Sequence, residues 1–209
     1  MFGWIATKPI LPSEVPGAIA ALGGVAHAST AALKSLSLKT RIETMTNKSN
    51  FTPDEWKLIL SSPMLAGMAV TLADPSGLWG LMKEGMASGR ALLEAKSDPS
   101  ASELTKAVVA DMETSAGRSA ARDEVKSEFA GKTPAQIKQQ IVTTLSRVKQ
   151  ILDAKVPGDA ASFKGWLKHI SEKVAGASAE GGFLGIGGHP VSDAEKASIT
   201  DVAKALGAG

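Results

Sequence analysis

The sequence predicts an all-α protein, a helical bundle of four longer helices with short additional helices at the amino- and carboxyl-terminal ends. Three observations predict it. Apolar residues recur at helical spacing, most clearly at Ile137, Ile141, Leu145, Val148 and Leu152, whose steps of 4, 4, 3 and 4 keep one face of a helix. A residue able to cap a helix is repeatedly followed by proline, whose fixed φ and missing N–H suit the first helical position. No stretch shows the strict apolar and polar alternation of a half-buried strand. Aromatic residues make up only 4% and tyrosine is absent, so the core must come from Leu, Ile, Val, Met and Ala, side chains that suit closely packed helices.

Along the chain, residues 1–44 read as a weakly structured amino-terminal extension with one helix, and residues 45–209 as a single helical-bundle domain. Within the extension, Ala26-His27-Ala28 fits the small-x-small pattern of a secretory cleavage site, but no compact basic region precedes it, and Glu14 with Pro9, Pro12 and Pro16 breaks the apolar run. The folded part is therefore expected to begin near Met45, in a cytoplasmic protein. Helix starts are predicted at Thr52-Pro53, Ser62-Pro63, Asp74-Pro75, Asp98-Pro99 and Thr133-Pro134. Capping boxes, in which the acid or amide at N3 returns a bond to the cap backbone, pair Thr52 with Glu55, Thr133 with Gln136 and Ser192 with Glu195. Asp159, after Val156-Pro157-Gly158, opens a further helix. These marks predict helices over 53–61, 63–73, 75–96, 99–130, 134–155, 159–175 and 192–206. The stripe Phe163, Trp166, Leu167, Ile170 and Val174 gives the sixth an apolar face, whereas the stripe of 99–130 thins at Ala116 and Ala120.

Composition excludes several classes of function. The formal charge is +2, from 23 basic and 21 acidic residues, which gives no overall pull toward nucleic acid or anionic membrane. Basic residues do dominate from Lys132 to Lys173, but at helical spacings that read as a solvated face. Without cysteine, disulfides, thiolate nucleophiles, zinc ribbons and iron–sulfur clusters are ruled out together. The nearest approach to a membrane span is Leu58 to Ala73, uncharged but interrupted by Ser61, Ser62 and Pro63.

The most informative segment is LADPSGLWGLMKEGMASG, from Leu72 to Gly89. Leu78, Met82, Gly85, Gly89 and Leu92 follow steps of 4, 3, 4 and 3, so two glycines fall on the core-facing side. Glycine inside a helix costs about 1 kcal/mol relative to alanine, so something is expected to come close there. The plainer occupant is another helix or a Trp; the functional one is a ligand or second subunit, in a groove bounded by Trp79, Met82, Gly85, Met86, Gly89 and Trp166. DPSG is a helix start, not a phosphate loop, because no lysine follows a longer glycine turn.

Other chemistry is thin. Met64 with Met68, and Met82 with Met86, could each present two thioethers to Cu(I), but methionine is an ordinary filler of helical cores. His27, His169 and His189 all lack the preceding glutamate of a di-iron motif, and His169 is expected in a partly buried hydrogen-bonding role. There is no nucleophile elbow, and Asp123 and Glu124 point to different sides of their helix. Enzymatic activity is not expected, and no cofactor is implied. In the loop Glu180 to Gly188, Phe183, Leu184 and Ile186 plug the end of the bundle or dock a partner.

The ending from Phe163 to Gly207 resembles small uncharacterised bacterial all-helical proteins, and VSDAEKASITDVAKALG is similar to the closing helix of the tellurite-resistance TerB-like helical-bundle family. That family's Asp-Gly metal-binding pattern is missing, so no site carries over. The resemblance implies a compact bacterial helical protein with a connection to stress. The leading function is a non-enzymatic interaction or assembly protein, a homo-oligomer or partner of another protein, packing through the face around Gly85 and Gly89. One alternative is a carrier of a small apolar ligand or metal within the bundle. The other is peripheral membrane association through Leu58 to Leu81 or the glycine-rich loop.

Overall fold

The computed structural model describes residues 46–73, 91–179 and 191–208, and every regular element among them is helical. After a single 3-10 turn, Lys48–Asn50, come α1 (Pro53–Thr71), the helical stretch α2 over residues 91–97, α3 (Glu103–Met112), α4 (Ser115–Phe129), α5 (Pro134–Lys155), α6 (Pro157–Ala179) and α7 (Asp193–Leu206). The extension 1–44, most of the helix expected over 75–96, and the loop carrying Phe183, Leu184 and Ile186 lie outside the described residues.

The organising element is α1, against which α3, α4, α5, α6 and α7 all pack. Its residues from Leu58 to Pro63 are buried without interruption, and six successive positions at 100° each cover the whole circumference of a helix. A helix apolar on all sides belongs inside a bundle. This explains the uncharged run from Leu58, which is occupied by core packing as far as Thr71. No described helix is long and apolar enough to cross a membrane.

The expected helix boundary at Ser62-Pro63 is corrected, because α1 runs straight through it. Proline at position 63 cannot donate to the Ile59 carbonyl, and an orphaned acceptor in the core is costly. The Ser62 hydroxyl donates to that same Ile59 carbonyl at 2.6 Å, and Ser61 donates to Leu58 O at 3.0 Å. Serine before proline therefore replaces a missing backbone donor here instead of capping a new helix.

A second correction concerns 99–130. Asp98 does not cap a helix at Pro99; its Oδ1 accepts from Ser100 N at 2.8 Å and Ser100 Oγ at 2.6 Å, which closes a local turn. The helix starts only after Ser102, whose hydroxyl accepts from Thr105 N. It ends at Met112, and Thr114 begins α4 by accepting from Gly117 N at 2.9 Å while donating to Asp111 O at 2.7 Å. Arg118 donates to the exposed carbonyls of Met112 and Glu113. The corner is tight enough that a Cβ on Gly117 would lie 2.0 Å from Asp111 O. The thin apolar stripe at Ala116 and Ala120 marks this break in the sequence.

The remaining starts agree with expectation. All three capping boxes form in both directions, with the N3 side chain accepting at 2.7 to 2.8 Å from Thr52 N, Thr133 N and Ser192 N. Helix α6 begins at Pro157, two residues before Asp159, whose carboxylate accepts from Leu104 N at 3.2 Å and so ties the first turn of α6 to that of α3. Ile141, Leu145, Val148 and Leu152 of α5, and Phe163, Leu167 and Ile170 of α6, are fully enclosed. Most of the basic stretch is engaged with acids: Lys138 with Asp201, Arg147 with Glu128, Lys149 and Lys164 both with Asp153, Lys155 with Glu55, Lys168 with Glu172, and Lys173 with Glu94, while Lys132 donates to the Glu128 carbonyl. That is a solvated, self-paired face, and each exposed pair adds at most about 1 kcal/mol.

Ser62→Ala is expected to cost about 1–3 kcal/mol in urea unfolding, because it orphans a buried carbonyl. Ser62→Thr, which keeps the hydroxyl, should lose less. Gly117→Ala should destabilise by about 1–3 kcal/mol through the clash at the α3–α4 corner, read as a lowered thermal midpoint. A wild-type midpoint for either alanine variant would contradict these roles.

Candidate functional site

Of the six residues expected to bound the glycine groove, Trp79, Met82, Gly85, Met86 and Gly89 lie outside the described residues. Trp166 is described, and it lines a cleft of about 360 Å³ between α2, the turn at 98–101 and one face of α6. That volume is at the lower end of the range of small-molecule sites. Helix α6 contributes Ser162, Gly165, Trp166 and His169, positions three, four and seven apart that share one face. This face borders the buried stripe of Phe163, Leu167 and Ile170, so the same helix turns one side to the core and the next to the cleft. Opposite stand Ala91, Glu94 and Ala95 of α2, with Asp98, Ser100 and Ala101 of the turn and Thr105 of α3 behind them.

Two features of α6 make room. Gly165 sits inside the helix, and a Cβ added there would meet nothing within 4 Å. No close backbone approach explains the glycine, whose helical cost of about 1 kcal/mol stands uncompensated by packing. Trp166 is clamped by Phe163, with ring centroids 5.3 Å apart and planes tilted by 56°, a favourable aromatic geometry. Its indole N–H is enclosed without an acceptor, so its contribution to the wall is ring carbon. Trp56 contrasts with it: packed on Phe51, it donates its indole N–H to Asp111 at 2.7 Å.

The cleft has a charged rim. His169, expected in a partly buried hydrogen-bonding role, is half exposed and lies between two carboxylates: Nε2 is 3.8 Å from Glu94 and Nδ1 is 3.8 Å from Glu172. Both separations exceed hydrogen-bond length. Lys173 donates to Glu94 Oε1 at 3.1 Å. The side-chain and backbone hydrogen bonds from Ser100 hold the Asp98 carboxyl below its ordinary range. Sequence reasoning missed Glu94 and Asp98 as wall residues; Asp98 was read as a helix cap.

Other candidates resolve into packing. Met64 and Met68 are partly buried against the core, as gap-fillers are. His27 and His189 lie outside the described residues, among which no group of three His, Asp or Glu side chains is arranged to hold a metal. Away from the cleft, Glu124 on α4 has its carboxyl pushed up by desolvation and then by the neighbouring Glu128. Glu128 is itself engaged, accepting from Thr144 Oγ1 at 3.0 Å and from Gln140, and facing Arg147 at 3.5 Å. That network is structural, and Asp123 beside it points to solvent.

A group whose folded pKa is raised contributes stability that is complete below its unfolded pKa and is lost as pH rises through the folded value. Glu124→Gln is therefore expected to stabilise the protein at neutral pH, by at most about 0.5 kcal/mol once solvent screening is allowed for. The gain should vanish below the ordinary carboxyl value of 4.5. Thermal melts of both proteins across that range check it; a loss of stability at neutral pH would contradict it.

No family model matches the chain, and neither does a curated protein or a solved structure.

Proposed function

We propose that this is a non-enzymatic helical binding protein that holds a small amphipathic molecule in the cleft along α6. The bundle is read as having four longer helices. The observation that carries the reading is the combination at Gly165 and Trp166: an open position inside a helix next to a clamped ring, both facing about 360 Å³ of space. The mixed polar and apolar wall revises the expected ligand from purely apolar to amphipathic. The cleft hydroxyl that meets a carboxylate, Ser100 on Asp98, is part of the local turn at 98–101, which supports carriage or sensing over catalysis. The TerB-like ending would put such a protein in bacterial stress physiology.

The assembly reading has separate support in Leu93 of α2, the exposed large apolar side chain among the described residues, at 63%. An exposed apolar side chain of this size would suit contact with a second copy or another protein.

Native mass spectrometry of the full chain distinguishes the two. A monomer with a co-purified small molecule, lost in Gly165→Leu while the fold is retained, is the expected result. Leucine at 165 enters open space, so this variant should match or exceed wild-type stability by up to about 1 kcal/mol. A ligand-free oligomer unaffected by Gly165→Leu would overturn the binding reading in favour of assembly.

A further inference from the structure

The chemistry of the cleft wall narrows what it would hold, an inference that rests on the small-molecule reading above. Among its described wall residues, Glu94 and Asp98 carry carboxylates, and none carries an ammonium or guanidinium group. Asp98 commits Oδ1 to Ser100, while Oδ2 has no hydrogen-bond partner among the described residues. Glu94 gives Oε1 to Lys173 and leaves Oε2 3.8 Å from His169, without a normal hydrogen bond. Each carboxylate thus keeps one oxygen able to accept. The third ingredient is Trp166, which offers ring carbon and, with its N–H enclosed, no donor for an anion.

Free carboxylate oxygens beside an aromatic ring attract a positive group twice, through charge and through the π system. They repel an anion, which would desolvate facing like charge. We propose that the cleft takes a small organic cation, an ammonium bearing an alkyl or aryl body, with its charge toward Asp98 and Glu94 and its body against Trp166. Gly165 then gives the body its space, and the hydroxyls of Ser162 and Ser100 offer the ammonium further acceptors at the rim.

Three probes with one ring and different charge test this: phenethylammonium, phenethyl alcohol and phenylpropionate, each titrated calorimetrically into the full chain at low and high salt. Phenethylammonium is expected to bind at least about tenfold more tightly than the alcohol, with the advantage shrinking in high salt, and phenylpropionate to bind most weakly. Asp98→Asn keeps an oxygen to accept from Ser100, so the turn should survive while the cation's advantage falls several-fold; Glu94→Gln is the second variant should the first unfold. Equal binding of the three probes, or a preference for phenylpropionate, overturns the charge assignment and leaves the small-molecule reading standing. Absence of binding by all three also overturns the cation inference, while the small-molecule reading is then judged separately by the co-purified ligand and its loss in Gly165→Leu.

Discussion

The fold depends on a helix whose middle, from Leu58 to Pro63, has no solvent face and nevertheless contains proline. Burying that part of α1 on every side lets five other helices share one apolar axis, and it also removes the water that would otherwise satisfy a broken backbone hydrogen bond. Pro63 breaks one, at the Ile59 carbonyl, and the Ser62 hydroxyl restores it from the adjacent residue. Ser171 of α6 adds a bond of the same kind across the core, donating to Ala66 O at 2.9 Å. Ser61, Ser62 and Ser171 all serve the backbone of α1, which is why serine stands there where leucine would bury more apolar area.

Around that axis, the remaining helices are held by contacts at their ends. The α3–α4 corner closes because Thr114, Arg118 and Gly117 deal respectively with a donor, two carbonyls and a steric conflict within a few residues. The neighbouring Asp111 carboxyl is raised by desolvation, but the Trp56 indole and Lys48 outweigh that and hold it below its ordinary value. It therefore joins the start of the domain to the end of α3 in its charged form. Asp159 performs a similar junction between α6 and α3. The Asp159 contact holds α3 against α6, and the cleft lies beside that junction, between α6, α2 and the turn at 98–101.

The cleft is a product of what α6 omits. A bundle helix normally fills its flank with alanine or larger residues, and here Gly165 and Ser162 leave a hollow bordered by Trp166. The binding reading follows from this local departure from efficient packing, combined with a carboxylate rim. Of the two rim carboxylates, Glu94 shares one oxygen with Lys173, while the other basic residues of α5 and α6 are engaged with acids elsewhere.

Much of the architecture was legible in the chain itself. Thr52, Thr133 and Ser192 cap where expected because a capping box is a four-residue chemical unit that needs no distant partner. The stripes on α5 and α6 were equally readable, since periodicity is a local property of an amphipathic helix. Ser62-Pro63, Asp98-Pro99 and Thr114 were misread or missed for the opposite reason: the same short sequence can cap a helix, close a turn or repair one, and burial decides among them. The meeting of Glu94 and Asp98 with Trp166 and His169 was not readable at all. It joins residues up to 75 positions apart through the packing of three elements, and only tertiary structure brings such groups to one wall.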